Sequence, residues 1–210
     1  MAIRAVVFDI GGVLEITQDL SPTRSQDSVT RAWEARLGLA PGEIDERMRD
    51  AWIGGSIGTV TLDEVQQALR DRVGLDDEQV AAFMADLWRE YLGTANTELI
   101  EYARRLRPRY RTGIISNSFV GAREREQAAY GFGDLVDALI YSHEAGISKP
   151  DPGIYALACA QLDVAPEEAV FVDDTESGVD GARLAGLHAI HYWDNDQVIR
   201  ELDAALTTTS

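Results

Sequence analysis

The chain has 210 residues, 45% of them hydrophobic and 26% charged, a composition that is ordinary for a globular protein. Its 36 Asp and Glu outnumber 19 Lys and Arg, and the resulting net charge of −17 excludes nucleic acid and anionic membrane surfaces as expected partners. One cysteine excludes an intrachain disulfide, and the lack of a secretory signal or a long apolar run predicts a cytoplasmic protein.

The first predicted element is a buried strand, Ala5–Phe8, rich in β-branched and aromatic residues. Asp9 follows it directly, and Gly11 and Gly12 then turn the chain. An isolated carboxylate at the end of a buried strand is costly, so Asp9 indicates a bound cation, a reaction, or a cap for the following turn. This stretch alone leaves these interpretations open.

Residues 16–92 show amphipathic helical patterns and no convincing strand. Capping residues support two of the helices: Thr61 with Glu64 forms a capping box, and Asp76 precedes another helix. Four helices in succession predict an all-helical insert. They are predicted at residues 24–39, at residues 41–53, from Thr61 to Gly74, and from Asp76 through Tyr91.

From Asn96 onward, helices and strands alternate. Helices are predicted at 97–107, 119–130, 152–162, 176–185 and 195–206, and strands at 111–118, 138–142, 169–174 and 188–193. Strict alternation implies right-handed crossovers and a parallel sheet with helices on both faces. The prediction is therefore an α/β fold, a doubly wound mostly parallel sheet, with a catalytic core at 1–15 and 93–210 and an inserted four-helix cap at 16–92.

Polar residues follow four of the predicted strands. They are Asp9, the pair Ser116-Asn117, Lys149 in the loop after the strand at 138–142, and the pair Asp173-Asp174. In such a sheet, ligands bind beyond the carboxyl ends of the strands. Three carboxylates there would repel one another unless a divalent cation lay among them, and all-oxygen ligation favours Mg²⁺. A hydroxyl and an ammonium beside them favour a phosphate ligand.

In this order, four motifs resemble those of the haloacid dehalogenase superfamily of hydrolases, in its branch with a helical cap after the first strand. The motifs read FDIGGVL, IISNS, Lys149-Pro150, and FVDD followed by TESGVDGARLAG. The resemblance covers nearly the whole chain. It implies a Rossmann-like core and a Mg²⁺-dependent phosphatase that acts on a small phosphorylated metabolite such as a sugar phosphate.

The resemblance also implies roles for individual residues. Asp9 would be the nucleophile that forms an aspartyl-phosphate, and it would ligate Mg²⁺ together with the carbonyl of Gly11 and the carboxylate of Asp174. Asp173 would ligate the metal or orient its shell.

The phosphoryl group would be held by residues of the second and third motifs. Ser116 would bind one of its oxygens, Asn117 would line the same site, and Lys149 would bridge phosphate and nucleophile. Apolar cap surface leaves a monomer or a weak homodimer as the expected state.

One position departs from the family pattern. Phosphatases of this superfamily usually carry a general acid–base Asp two residues after the nucleophile, where this chain has Gly11. Three interpretations follow: a phosphatase that works without this group, a regulatory protein that binds metal or phosphate, or a 2-haloacid dehalogenase, against which the paired Asp173-Asp174 argues. In the first, Glu15, His143, Glu144 or a cap residue would substitute for the missing acid.

Two further segments carry weaker signals. The segment WIGGSIGT at 52–59 is predicted as a connection between cap helices that either contacts substrate or only links them. Glu124 and Glu126 alternate with arginines and are predicted to lie on a solvated helix face.

Overall fold

The computed structural model describes residues 2–16 and 28–207. Five parallel strands form one sheet in the order β5-β4-β1-β6-β7, and β2 pairs with β3 in a separate antiparallel ribbon. The strands, numbered in chain order, are β1 Ala5–Phe8, β2 Glu15–Ile16, β3 Thr94–Ala95, β4 Arg111–Ser116, β5 Ala138–Tyr141, β6 Ala169–Asp173 and β7 His188–His191.

The helices surround this sheet and build the segment between β2 and β3. They are α1 Val29–Leu37, α2 Glu43–Ser56, α3 Leu62–Ala68, α4 Asp77–Tyr91, α5 Thr97–Leu106, α6 Ala122–Tyr130, α7 Phe132–Leu135, α8 Ser142–Ala145, α9 Pro152–Leu162, α10 Glu176–Leu184 and α11 Asn195–Thr207. No helix in the described ranges is long and apolar enough to cross a bilayer.

The central strand β1 shows why helices cover both faces of the sheet. Val6 and Phe8 point into one apolar cluster, which α5 and α11 help to form. Ala5 and Val7 point into the other, which contains residues of α9. Alternate residues of a strand face opposite sides, so an uninterrupted apolar strand must be covered twice. The predicted doubly wound α/β fold is confirmed.

The register of the sheet brings the ends of three strands together. Phe8 is paired with Ile114 of β4 on one side and with Val172 of β6 on the other. The next residues, Asp9 and Asp173, therefore lie level on adjacent strands. The Asp9 amide continues the ladder by donating to the Val172 carbonyl at 2.8 Å.

Helices α1 to α4 and the turn after α3 form a third hydrophobic cluster, to which Ala122 of α6 also belongs; it contains Ile44, Met48, Leu69 and Phe83, all fully buried. The predicted capping box at Thr61 is present, and the predicted cap Asp76 forms a second capping box with Gln79. This separate cluster supports the division into a core and a cap at residues 16–92, which stays a prediction.

The helix boundaries differ most from the predicted ones at α2, α3 and α6, and α6 begins at Ala122, three residues after its predicted start at 119. The predicted start of α1 at Arg24 lies outside the described residues, and its first described helical residue is Val29. Helix α2 continues to Ser56, three residues beyond the predicted end, because Gly54 and Gly55 pack closely against neighbours. Helix α3 ends at Ala68 and continues as a π-helical turn over Leu69–Val73.

The ribbon of β2 and β3 was not predicted, because two-residue strands carry no period. It lies where the chain passes from the core into the helical segment and back. Asn96 secures this crossing, since its side-chain amide donates to the Val13 carbonyl at 2.8 Å and to Asn195 Oδ1 at 2.8 Å.

Candidate active site

Asp9 lies at the carboxyl end of the central strand and is 7% exposed. Its Oδ1 accepts a hydrogen bond from the Ile10 amide at 2.8 Å and lies 2.7 Å from the Lys149 ammonium. Burial raises the pKa of Asp9 to about 7, against the lowering effect of Lys149, and the charge of Asp173 adds to the rise. Binding a cation there would favour the ionised carboxylate.

Lys149 lies between two carboxylates, with its Nζ 2.7 Å from Asp9 and 2.6 Å from Asp173 Oδ2. Burial alone would lower the pKa of this amine, but the two carboxylates outweigh burial and raise it. Lys149 is the only lysine in the chain, and the other 18 of the 19 Lys and Arg residues are arginines. A compact ammonium fits between two carboxylates where a planar guanidinium would need more room.

Asn117 holds the backbone of Lys149 on both sides. Its Nδ2 donates to the Lys149 carbonyl at 3.0 Å, and its Oδ1 accepts from the Lys149 amide at 2.8 Å. The structure thus gives Asn117 a positioning contact that the sequence did not predict.

Three carboxylates converge beside Lys149. One oxygen each of Asp9, Asp173 and Asp174 lies within 4.8 Å of the others. Asp173 is fully buried, and its Oδ1 accepts hydrogen bonds from the amide of Thr175 at 2.7 Å and its hydroxyl at 2.5 Å. A single ammonium leaves this group net negative, and its all-oxygen donors fit a Mg²⁺ ion.

A cavity of about 290 Å³ opens over these residues. It is lined by six of the seven predicted site residues, Asp9, Gly11, Ser116, Asn117, Lys149 and Asp174. The seventh, Asp173, lies behind Lys149 and does not line the cavity. The sheet therefore gathers the predicted residues around one space.

At Gly11 the cavity is open. A Cβ built on this residue would meet no heavy atom within 4 Å, and Gly11 is not among the glycines with positive φ. Of the side chains expected to replace an acid there, Glu15 lines the cavity, whereas His143 and Glu144 do not. His143 Nδ1 lies 2.7 Å from the Ser118 hydroxyl, and Glu144 pairs with Arg123.

The prediction that Glu126 lies on a solvated face is wrong. Glu126 is 1% exposed and lines the cavity, whereas its neighbour Glu124 is exposed. Ala122 and Glu126 share one face of α6 because they are four residues apart, and both are buried. The four-residue spacing from Ala122 could have indicated that Glu126 is buried. The alternating charges of the segment instead favoured an exposed helix face.

The sequence matches the haloacid dehalogenase-like hydrolase family over residues 3–186. The chain belongs to this family and is a hydrolase of the haloacid dehalogenase type.

Individual relatives agree with this assignment, and a solved structure shares the fold. The chain is 32% identical to Phosphatase MT3486 of Mycobacterium tuberculosis, with 90% of this chain and 87% of the relative covered. It is 28% identical to N-acetylmuramic acid 6-phosphate phosphatase of Pseudomonas aeruginosa, over 89% and 80% of the two chains. A structure of a family enzyme from Bacteroides thetaiotaomicron, complexed with magnesium and inorganic phosphate, has the same fold, with a TM-score of 0.74, 20% identity, and coverage of 95% and 100%.

Proposed function

We propose that this chain is a Mg²⁺-dependent phosphohydrolase that acts on a small phosphorylated metabolite through an aspartyl-phosphate on Asp9. The observation that carries the proposal is the buried contact between Asp9 and Lys149. Both residues line one cavity, and the carboxylates of Asp173 and Asp174 lie beside them. The phosphatases among its relatives support the same reaction class. A cytoplasmic location, expected from the single buried cysteine, belongs to this proposal.

The phosphate would be bound locally, since the net charge of −17 repels anions at long range. The Ser116 hydroxyl would donate to one phosphoryl oxygen, and the Lys149 ammonium would offset the charge of the others. Asn117 would keep the Lys149 backbone in place through its paired hydrogen bonds.

Asp9, Asp174 and the carbonyl of Gly11 would hold Mg²⁺, and Asp173 would orient the surrounding ligands and Lys149. When bound, the ion screens the carboxylates from one another and from the incoming phosphate. A side chain at Gly12 would overlap the carboxylate of Asp174, so the glycine there lets that carboxylate approach.

In the first step, a carboxylate oxygen of Asp9 would attack phosphorus, and the bond from phosphorus to the ester oxygen would break. Because residue 11 has no side chain, the leaving oxygen departs as an anion or takes its proton from water. Water would then attack phosphorus, break the bond to Asp9 and release inorganic phosphate. Such a site favours good leaving groups, for example those of acyl phosphates or sugar 1-phosphates.

A regulatory protein that binds metal or phosphate without turnover is the second candidate, favoured by the glycine at position 11.

Turnover separates the two functions. We expect acetyl phosphate, glucose 1-phosphate or p-nitrophenyl phosphate to be hydrolysed with Mg²⁺, and Asp9→Asn to abolish the reaction. Asp63→Asn, an exposed cap substitution, is the matched control. Metal binding without hydrolysis of any of the three would support the regulatory function, and chloride release from 2-chloropropionate without metal would support a dehalogenase.

A further inference from the structure

The cavity has lining residues that the proposed reaction does not use. They include Glu15, Tyr91 and Glu126, from β2, α4 and α6 respectively. Glu15 and Glu126 are 2% and 1% exposed, so both carboxyl groups are taken out of bulk water. Two buried acidic groups on the wall of a substrate cavity are costly to retain and require a reason.

Glu126 is held by two tyrosines, one on the sheet and one on the helical segment. The hydroxyl of Tyr141 donates to Glu126 Oε2 at 2.5 Å, and Tyr91 also forms a side-chain hydrogen bond with Glu126. None of the ion pairs formed within the described ranges includes Glu126. A carboxylate accepts about four hydrogen bonds, so two tyrosine donors leave acceptor capacity for a ligand in the cavity.

Glu15 adds to the negative character of this wall. The Gly93 amide donates to Glu15 Oε1, and Tyr130 forms a further side-chain hydrogen bond with it. Burial raises the pKa of Glu126 to about 7, and the charge of Glu15 contributes to the rise. Because both buried carboxyl groups line the same cavity, a substrate that carries a second anionic group besides its phosphate is disfavoured there.

We propose that Glu126 is a specificity-determining residue that accepts hydrogen bonds from hydroxyl or ammonium groups on the leaving group of the substrate. Together with Glu15 it disfavours leaving groups that carry a second negative charge. This inference rests on the proposed phosphohydrolase function and narrows its substrates. The cavity of about 290 Å³ lies at the lower end of ligand sites, so these substrates are small.

Four three-carbon phosphates that differ only in their terminal group test the inference. They are propyl phosphate, 3-hydroxypropyl phosphate, 3-aminopropyl phosphate and the phosphate ester of 3-hydroxypropanoate. Since a hydrogen bond to a charged group corresponds to roughly tenfold or more, kcat/KM should be about tenfold higher for the hydroxyl or ammonium compound than for propyl phosphate. The carboxylate compound should be the poorest substrate. The hydroxyl and ammonium arms identify which donor the site prefers.

Glu126→Gln should reduce the preference for the hydroxyl or ammonium compound about tenfold and relieve the exclusion of the carboxylate compound. Each preference is a ratio of kcat/KM values measured on one protein, so it does not depend on the overall activity of the variant. Glu126→Asp keeps the charge but withdraws the carboxylate by one methylene, so it should lose the preference for donors and retain the exclusion. Glu124→Gln, exposed on the same helix, should behave as wild type.

The outcomes separate the inference from the proposed function. If turnover requires Asp9 but the four compounds rank alike in wild type and Glu126→Gln, the inference is overturned and the phosphohydrolase stands. If none of the four is hydrolysed, the same ranking is measured as dissociation constants in the presence of Mg²⁺, where equal affinities overturn the inference. A wild-type protein that prefers the carboxylate compound overturns it even if every Glu126 variant fails to fold.

Discussion

The ammonium of Lys149 lies 2.7 Å from the carboxylate of Asp9, and both side chains are at least nine-tenths buried. Because Lys149 also contacts Asp173, removing Lys149 leaves two buried carboxylates without their ammonium, whereas removing Asp9 leaves the ammonium with one partner. The same contact would hold the nucleophile ionised and bring a cation to the phosphate.

Lys149→Met should destabilise the protein strongly. Three carboxylates then remain within 4.8 Å of one another without their ammonium, and breaking a buried pair costs about 3–5 kcal/mol. Denaturant unfolding at pH 8 measures the loss, and Mg²⁺ should restore more stability to the variant than it adds to wild type. Lys149→Arg, which keeps the charge, should lose turnover with a smaller loss of stability. An unchanged free energy of unfolding in Lys149→Met would contradict this account.

Gly11→Asp should raise turnover of esters with poor leaving groups, such as alkyl phosphates. The backbone at Gly11 does not have positive φ, and the space above it is open, so a carboxyl group can extend into the cavity without strain. A positioned general acid contributes about 10²–10⁴-fold, which steady-state kinetics will detect. Acyl phosphates, which need no proton, should gain little.

Gly12→Ala is the matched control for this substitution. Gly12 has a φ of +78°, and its Cβ would overlap the carboxylate of Asp174, so Mg²⁺ affinity should fall. An inactive Gly11→Asp together with a fully active Gly12→Ala would show that the site is arranged differently.

Gly58→Ala should disturb the contact between the end of α2 and the core. Gly58 has a φ of +71°, and a Cβ there would overlap the carbonyl of His143. Gly74→Ala provides the comparison, because Gly74 has a φ of +87° but nothing within 4 Å of its Cβ. Both substitutions cost about 1–2 kcal/mol of backbone strain, because a Cβ at positive φ approaches the following carbonyl oxygen. Only Gly58→Ala should lose additional stability and raise KM, and equal losses would show that this contact is unimportant.

Glu126→Gln should change the pH dependence of stability. The pKa of Glu126 rises from 4.5 to about 7 on folding, so the folded state keeps this proton over a range in which the unfolded chain has released it. The free energy of unfolding of wild type therefore falls by about 3 kcal/mol through this group as pH rises from 4.5 to above 7. Glutamine does not ionise and lacks this loss.

Chemical denaturation at pH 4.5 and pH 8 tests the expectation. The stability of Glu126→Gln relative to wild type should be higher at pH 8 than at pH 4.5, by on the order of 2–3 kcal/mol. Glu124→Gln should follow the wild-type curve at both values. Parallel curves for wild type and Glu126→Gln would place the pKa of this carboxyl group near its ordinary value.

The parallel sheet was predictable because its strands are short, apolar and separated by well-marked helices. That order is enough to place Asp9 and Asp173 on one edge, and the pairing of Phe8 with Val172 sets them level. Helix α9, Pro152–Leu162, has the predicted bounds because Asp151 caps it and proline begins it.

The remaining features depend on tertiary contacts that no local pattern records. The residues next to Glu126 in the sequence predict a surface position. Its two hydrogen-bond partners, Tyr141 and Tyr91, come from other elements and are adjacent only in the folded chain. The ribbon of β2 and β3 joins residues about 80 positions apart, through strands too short to show alternation. Likewise, helix α2 extends past Ile53 because glycines there pack against Val60 and Phe119.

A lone lysine makes this protein a natural subject for amine chemistry. Lys149 carries the only side-chain primary amine in the 210 residues, and it is 8% exposed. An acylating reagent would reach that side chain through the cavity and react only with its neutral form, which the two neighbouring carboxylates disfavour, so labelling should be slow. A ligand that closes the site would slow the reaction, and mass spectrometry of the labelled chain would therefore detect binding by compounds that are never turned over.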